Sequence, residues 1–336
     1  MWRKSPTGST LAVMVVMVAL AGEPAATQSP ASGDPLPNPF RSVENYLKLP
    51  NDRKIGSIVG IRFDRDDASI WMADRCGANT CVGSTLDPIL KFDSSGKFVK
   101  GFGAGMLVFP HGLFVDGDGN IWVTDNGGRG SNTQGHQVFK FNPDGKVLMT
   151  LGTPGIAGDG PATFNQPSDV VIASNGDIFV ADGHGGATNH RIVKFSKDGT
   201  FMKTWGKKGS EPGEFDTPHA MVIDSRDRIF VADRGNKRIQ IFDKDGKFLA
   251  AWKQFGDPSG LFIDENDILY ASGTSERGAD GVSIGSVKDG RVTGFIPKGD
   301  GVIVTVAVNA KGVLYAVAGV SGSRPNVAPL RIFVKK

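Results

Sequence analysis

The 336-residue chain is predicted to be an all-β protein, a six-bladed β-propeller of four-stranded antiparallel blades whose ring is closed by an N-terminal strand. Three observations predict it. One phrase recurs six times: an apolar alternating strand, a polar turn, and a second apolar strand that usually ends in Asp. Glycine contributes 46 residues without a triplet period, which frequent tight turns explain and a collagen helix does not. Hydrophobic residues at 39% and charged residues at 22% describe a chain able to bury a large core, so bulk disorder is excluded.

The copies run in order. Residues 60–74 read GIRFDRDDASIWMAD, 111–125 HGLFVDGDGNIWVTD, 168–182 SDVVIASNGDIFVAD and 219–233 HAMVIDSRDRIFVAD, with fainter copies at 259–272 and 304–317. After each pair comes a third strand such as HQVFKF, HRIVKF or KRIQIF, then a PDG or KDG turn, then a fourth strand such as KVLMTLG or TFMKTWG. Asp74, Asp125, Asp182 and Asp233 are 51, 57 and 51 residues apart, the length of one blade with loops of varying size. A lone meander cannot bury both faces, so neighbours stack and ring closure removes the exposed edges. The last copy stops after LRIFVKK, its third strand, and VENYLKLP (residues 43–50) is the expected donor of the fourth. The long loops RCGANTCVGSTLD, NGGRGSNTQG, GHGGATN and GTSERGADG follow second strands and are expected to gather on one face beside the channel mouth.

At the N-terminus Arg3 and Lys4 precede an apolar run from Leu11 to Ala21 that ends in Ala19-Leu20-Ala21, the pattern of a cleaved secretory signal. The expected organisation is a signal peptide at 1–21, a Pro-rich lead-in at 22–39 and the propeller at 40–336, in a secreted or periplasmic protein with no membrane association after cleavage. The two cysteines, Cys76 and Cys81, are then free to oxidise to a disulfide, whereas four intervening residues and no nearby His argue against a zinc knuckle. A net charge of +3 spread over interspersed Lys, Arg, Asp and Glu does not imply a nucleic-acid partner.

His111 and His219 occupy the same repeat position in blades 2 and 4, each after Pro. Inner strands converge on the axis, so these imidazoles, about 120° apart in a ring of six, face one point. Imidazole suits zinc, copper or nickel, but the third symmetric position is Val304, so a metal needs another donor, His184 or a loop carboxylate. Water- or backbone-bonded channel histidines are the alternative. Arg75 and Arg234 each follow the repeat Asp, and a pair of arginines at a channel mouth suggests a small anionic or peptide-like ligand, against ordinary solvated arginines. The repeat Asp itself is expected to be structural, accepting backbone N–H bonds. His136 and His190 are expected on blade surfaces or loops. There is no HExxH or Walker A motif, and GTPGIAGDGPATF reads as a loop rather than a phosphate cradle.

On the phrases FPHGLFVDGDGNIWVTD, HQVFKF, QPSDVV, IFVADG, RIVKF, TPHAMVI and VADRGNKRIQIF, over about residues 58–250, the chain resembles the NHL-repeat propellers that include peptidyl-α-hydroxyglycine α-amidating lyase. The resemblance implies zinc held by His111 and His219, Arg75 and Arg234 gripping a substrate carboxylate, and calcium near the carbonyl of Leu113. It also implies a proton acceptor at His184, where the family has tyrosine, while the family's third zinc histidine and its following Asp fall at Val304 and Thr305. The implied activity is release of an amide and glyoxylate by a carbon–nitrogen lyase. Two other readings stand beside it: a non-catalytic periplasmic propeller that binds a ligand or protein partner, and a calcium-dependent lactonase-like hydrolase.

Overall fold

The computed structural model describes residues 36–43, 46–50, 53–128, 131–298, 302–319 and 330–336. The signal segment 1–21 and most of the lead-in lie outside the described residues. A short strand, β1 (Phe40–Val43), comes first. Blade 1 follows as β2 (Ile58–Phe63), β3 (Ile70–Asp74), β4 (Ile89–Phe92) and β5 (Phe98–Phe102). Blade 2 is β6 (Pro110–Val115), β7 (Ile121–Asp125), β8 (Gln137–Phe141) and β9 (Val147–Leu151), and blade 3 is β10 (Pro167–Ile172), β11 (Ile178–Asp182), β12 (Arg191–Phe195) and β13 (Phe201–Trp205). Blade 4 comprises β14 (Pro218–Ile223), β15 (Ile229–Asp233), β16 (Arg238–Phe242) and β17 (Phe248–Trp252), with a 3₁₀ turn at Arg234–Asn236. Blade 5 contains β18 (Asp257–Ile263), β19 (Ile268–Thr274), β20 (Asp280–Ser286) and β21 (Val292–Pro297). In blade 6, β22 (Val302–Val308), β23 (Leu314–Gly319) and β24 (Leu330–Lys335) are completed by β1, in the order β1-β24-β23-β22.

Local chemistry builds each meander. The Asp or Asn that opens a hairpin turn accepts backbone N–H groups two and four residues on, as Asp116 does from Asp118 and Asn120, and Asn142 from Asp144 and Lys146. Gly145 then takes φ +87°, and a Cβ there would also lie 2.7 Å from Phe102 of the previous blade. The apolar faces meet between blades: Trp71 and Ala73 of blade 1 pack with Leu113, Val123 and Phe141 of blade 2. At the seam, Ile58 and Met72 pack with Ala307, Tyr315 and Val317 of blade 6. Each such large side chain contributes about 1.5–3 kcal/mol on burial. The six innermost strands touch in cyclic order, β22 against β2 included, so the ring is closed.

Ring closure runs through an N-terminal strand as expected, but through a different segment. The outer strand of blade 6 is Phe40–Val43, registered from Phe40↔Lys335 to Val43↔Ile332, so only Val43 of VENYLKLP belongs to it. Lys48 instead pairs in parallel with Lys97 at the blade 1 hairpin. The apolar anchor explains the shift: Phe40 is 2% exposed among Val308, Leu314 and Phe333.

The repeat Asp is structural. Asp74 accepts N–H bonds from Gly56 and, in its own loop, from Gly77, Asp125 from Val108 and Phe109, Asp182 from Asn165 and Asp233 from Asp216, so that the donors at 56, 108, 109, 165 and 216 tie these four second strands to the segments entering their own blades. Three have an arginine partner: Arg53 at 3.1 Å, and Arg191 and Arg238 each at 2.8 Å. His136 and His190 lie in loops, each one residue before its third strand, but not at the surface. Both are buried, and their Nδ1 atoms accept the backbone N–H of Gln166 and Thr217 in the segment entering the next blade. Each takes a left-handed φ, +59° and +60°, at the residue that precedes its third strand.

Candidate metal centre

Three imidazoles meet at one point of the channel. His111 is the second residue of β6 and His219 the second of β14; His184 arrives from the loop after β11. Ring centroids lie 4.6 Å apart for His111 and His184, 4.8 Å for His111 and His219, and 5.0 Å for His184 and His219. One nitrogen from each ring lies within 4.8 Å of the others. The sequence places His111 and His219 on the axis unaided. His184 reaches them because its loop folds back over the mouth, held by Thr188, whose hydroxyl accepts the His184 N–H and donates to the Gly185 carbonyl.

Hydrogen bonding sets the tautomers. Nδ1 of His111 lies 2.7 Å from the Ser168 carbonyl, and Nδ1 of His219 lies 2.5 Å from the Ser259 carbonyl. A carbonyl only accepts, so both Nδ1 atoms carry the proton and both Nε2 atoms keep a lone pair. Such outer-shell bonds orient metal-binding imidazoles. Burial holds both rings well below the usual histidine range, reinforced at His111 by His184, His219 and Arg75, and at His219 by Arg234, His184 and Arg75. Neutral rings in a polar, carbonyl-anchored cluster fit a zinc-type ion, since zinc–nitrogen bonds of about 2.0–2.1 Å require each ring to move by roughly 1 Å or less.

The depressed histidines give a stability prediction with a definite sign. Unfolded histidine takes up a proton near pH 6.5 while the folded rings stay neutral, so their contribution is complete above that pH and declines as pH falls below it. Asp125 and Asp169, which burial pushes up to about 6, act oppositely, adding stability as pH falls from 6 toward 4. The comparison with His219→Gln isolates the histidine part. Between pH 7 and 5.5 the metal-free wild type is expected to lose about 2 °C more of its Tm than this variant, measured by differential scanning fluorimetry.

The arginines flank the cluster on different terms. Arg75 is 8% exposed: its Nε donates to the Pro110 carbonyl at 3.1 Å, its Nη1 to Asn79 Oδ1 at 2.9 Å, and its guanidinium lies 3.5 Å from the Phe109 ring centroid. It is thus an inter-blade latch as well as a charge at the mouth, and Asn126 repeats the latch from blade 2, donating to the Pro167 carbonyl. Asn79 lies within the ring closed by the Cys76–Cys81 disulfide, whose Cα atoms are 5.1 Å apart, so oxidation braces Arg75. Arg234 opens the 3₁₀ turn of blade 4 partly exposed; burial lowers its pKa and Asp257 opposes that. Val304 contributes its position in β22, and its side chain lies outside the described residues. Leu113 is buried in β6 opposite Val123. Sequence reasoning passed over two charged channel residues, Arg62 and Asp169; the available signal was an ionisable side chain inside each of two apolar inner strands.

The NHL repeat family matches residues 164–195 and 215–242. NHL repeat-containing protein 3 of Mus musculus is 40% identical over 189 residues, covering 54% of this chain and 50% of that protein. A probable peptidyl-alpha-hydroxyglycine alpha-amidating lyase of Caenorhabditis elegans is 40% identical over 145 residues, 42% of this chain and 39% of that protein. Peptidylglycine alpha-amidating monooxygenase of Rattus norvegicus is 39% identical over 159 residues, 45% of this chain and 15% of that protein. The matched stretch thus spans half or less of the length of these relatives. Among solved structures, a putative gluconolactonase superposes with TM-score 0.61 at 14% identity, covering 90% of this chain and 94% of the other. A streptogramin B lyase superposes with TM-score 0.56 at 14% identity, covering 88% and 98%. At that identity the solved structures show the propeller fold alone. The chain carries NHL repeats and is similar in sequence to the amidating lyases.

Proposed function

We propose that the chain is a metal-assisted carbon–nitrogen lyase that splits a peptidyl-α-hydroxyglycine into a peptide amide and glyoxylate. The convergence of His111, His184 and His219, from three consecutive blades, carries this reading. Val304 offers no donor, so His184 completes the set of three protein ligands that a catalytic zinc site uses, in place of the proton-acceptor role the resemblance implies. Zinc bound there would act as a Lewis acid toward the substrate's oxygens. The Ser168 and Ser259 carbonyls hold His111 and His219 in the tautomer that presents Nε2. Arg234, with the braced charge of Arg75, binds the substrate carboxylate and orients it.

The reaction balances without a co-substrate. The α-hydroxyl loses its proton, that oxygen's electron pair forms the glyoxylate carbonyl, the C–N bond breaks, and the nitrogen leaves as the amide after taking up a proton. With His184 in the ligand set, solvent relays that proton. Export to a secreted or periplasmic compartment belongs to the same proposal, and the Cys76–Cys81 disulfide supports it.

Glyoxylate release from α-hydroxyhippurate by the purified chain tests the reading. The expected result is turnover abolished by chelation and restored by zinc. The latch role of Arg75 favours a second reading, a propeller that binds an anion without turning it over. A protein that binds hydroxyhippurate but releases no glyoxylate with zinc present would establish that reading instead.

A further inference from the structure

Two opposite charges lie within the channel, and neither recurs at its position in the other copies of the repeat: Arg62 on β2 and Asp169 on β10. Beneath the histidines is a small void of about 20 Å³, room for a single water. Asp169 is the one carboxylate among the described residues that line it. Arg62 lines this void and also a larger one of about 270 Å³ at the far end of the inner strands, beside Phe63, Val115 and Ile263. Its side chain therefore stands between the two. Nη1 of Arg62 donates to the Ile61 carbonyl at 2.8 Å, and the guanidinium carbon lies 5.8 Å from the Phe262 ring centroid.

The resemblance implies a calcium ion at this level, near the carbonyl of Leu113. Calcium takes six to eight oxygen ligands. Here Asp169 Oδ1 already accepts the Val170 N–H at 2.9 Å and Oδ2 the Met221 N–H at 2.8 Å. The Ser168 and Ser259 carbonyls receive the two imidazoles. Gly112 packs so tightly on the carboxylate that a Cβ there would lie 2.4 Å from Oδ1, leaving no slack for that group to turn toward an ion. At the family's acidic position stands Thr305, a neutral residue that lines the same void. The residues present do not fit calcium.

We propose that Arg62 is the resident cation of the channel, balancing Asp169 where a divalent ion would otherwise stand and closing the channel between the histidine mouth and the far vestibule. Its guanidinium is charged at every working pH and is tethered to its own strand, so the balance needs no ion from solution. Burial works against ionisation of Asp169 and the nearby Arg62 works for it, in keeping with the pairing. Exchange of small ligands then runs through the histidine mouth alone. The inference goes beyond the lyase reading and stands whether or not the chain turns over a substrate.

Thermal denaturation of the purified chain tests it, with and without millimolar calcium, beside Arg62→Met, Asp169→Asn and the double variant. Calcium is expected to shift the wild-type Tm by less than about 1 °C, because no site awaits it. Each single substitution is expected to lower the Tm by roughly 5 °C or more by leaving a partner uncompensated, and the double variant to recover at least half of the summed loss. A wild-type Tm raised by several degrees in calcium, or losses in the double variant that simply add, would overturn the assignment. Neither readout depends on glyoxylate release, so the lyase reading and this one fail separately.

Discussion

His111→Ala, His184→Ala and His219→Ala are each expected to abolish stoichiometric zinc, from about one ion per chain to near zero, and to lower glyoxylate release by at least ~10³-fold. A zinc ion bound there would supply several kcal/mol of charge stabilisation, and each ~1.4 kcal/mol is tenfold in rate. The three substitutions should behave alike because the rings share one point, 4.6 to 5.0 Å between centroids, with no spare donor from Val304. Elemental analysis and single-turnover kinetics separate the roles. If His184→Ala kept its zinc and lost only turnover, His184 would be the proton acceptor, and the ligand set would have to be sought elsewhere.

Removing residues 36–43 is expected to lower the Tm by roughly 8 °C or more and to promote association. The deletion strips the outer strand from blade 6, loses the ladder from Phe40↔Lys335 to Val43↔Ile332, and uncovers the cluster around Val308 and Phe333. Loss of a buried Phe alone costs about 3–5 kcal/mol, and a chain of this size loses on the order of 2 °C per kcal/mol. The bared edge of β24 would present unpaired N–H and C=O groups to other chains. Phe40→Ala should reproduce about half of the shift without the association. An unchanged melting curve after the deletion would mean that the seam between β22 and β2 carries closure by itself.

Much of the site was legible from repeat arithmetic. His111 and His219 share a repeat position, and identical positions in a closed ring must face the axis. The structural role of Asp125 was legible for the same reason: a carboxylate closing the second strand of blades 1 to 4 meets backbone donors of the entering segment in each of them. Arg75 was legible as a charge at the mouth but not as a latch, because its partner, the Pro110 carbonyl, belongs to the next blade. The burial of His136 and His190 was not legible, since nothing near them in the chain says that the neighbouring blade covers them.

The sequence by itself determined the blade count, the meander within each blade, the axial placement of two histidines and the capacity of Cys76 and Cys81 to pair. These follow from alternation with a period of two, from turn residues and from the recurrence of one phrase, all of which act over a few bonds or repeat at a set interval. Tertiary structure alone decided that His184 joins His111 and His219, that Phe40–Val43 rather than the following segment fastens the ring, and that Arg62 and Asp169 line one void in the channel. Those contacts join residues some 35 to 295 positions apart, and only closure of the ring brings them within reach of one another.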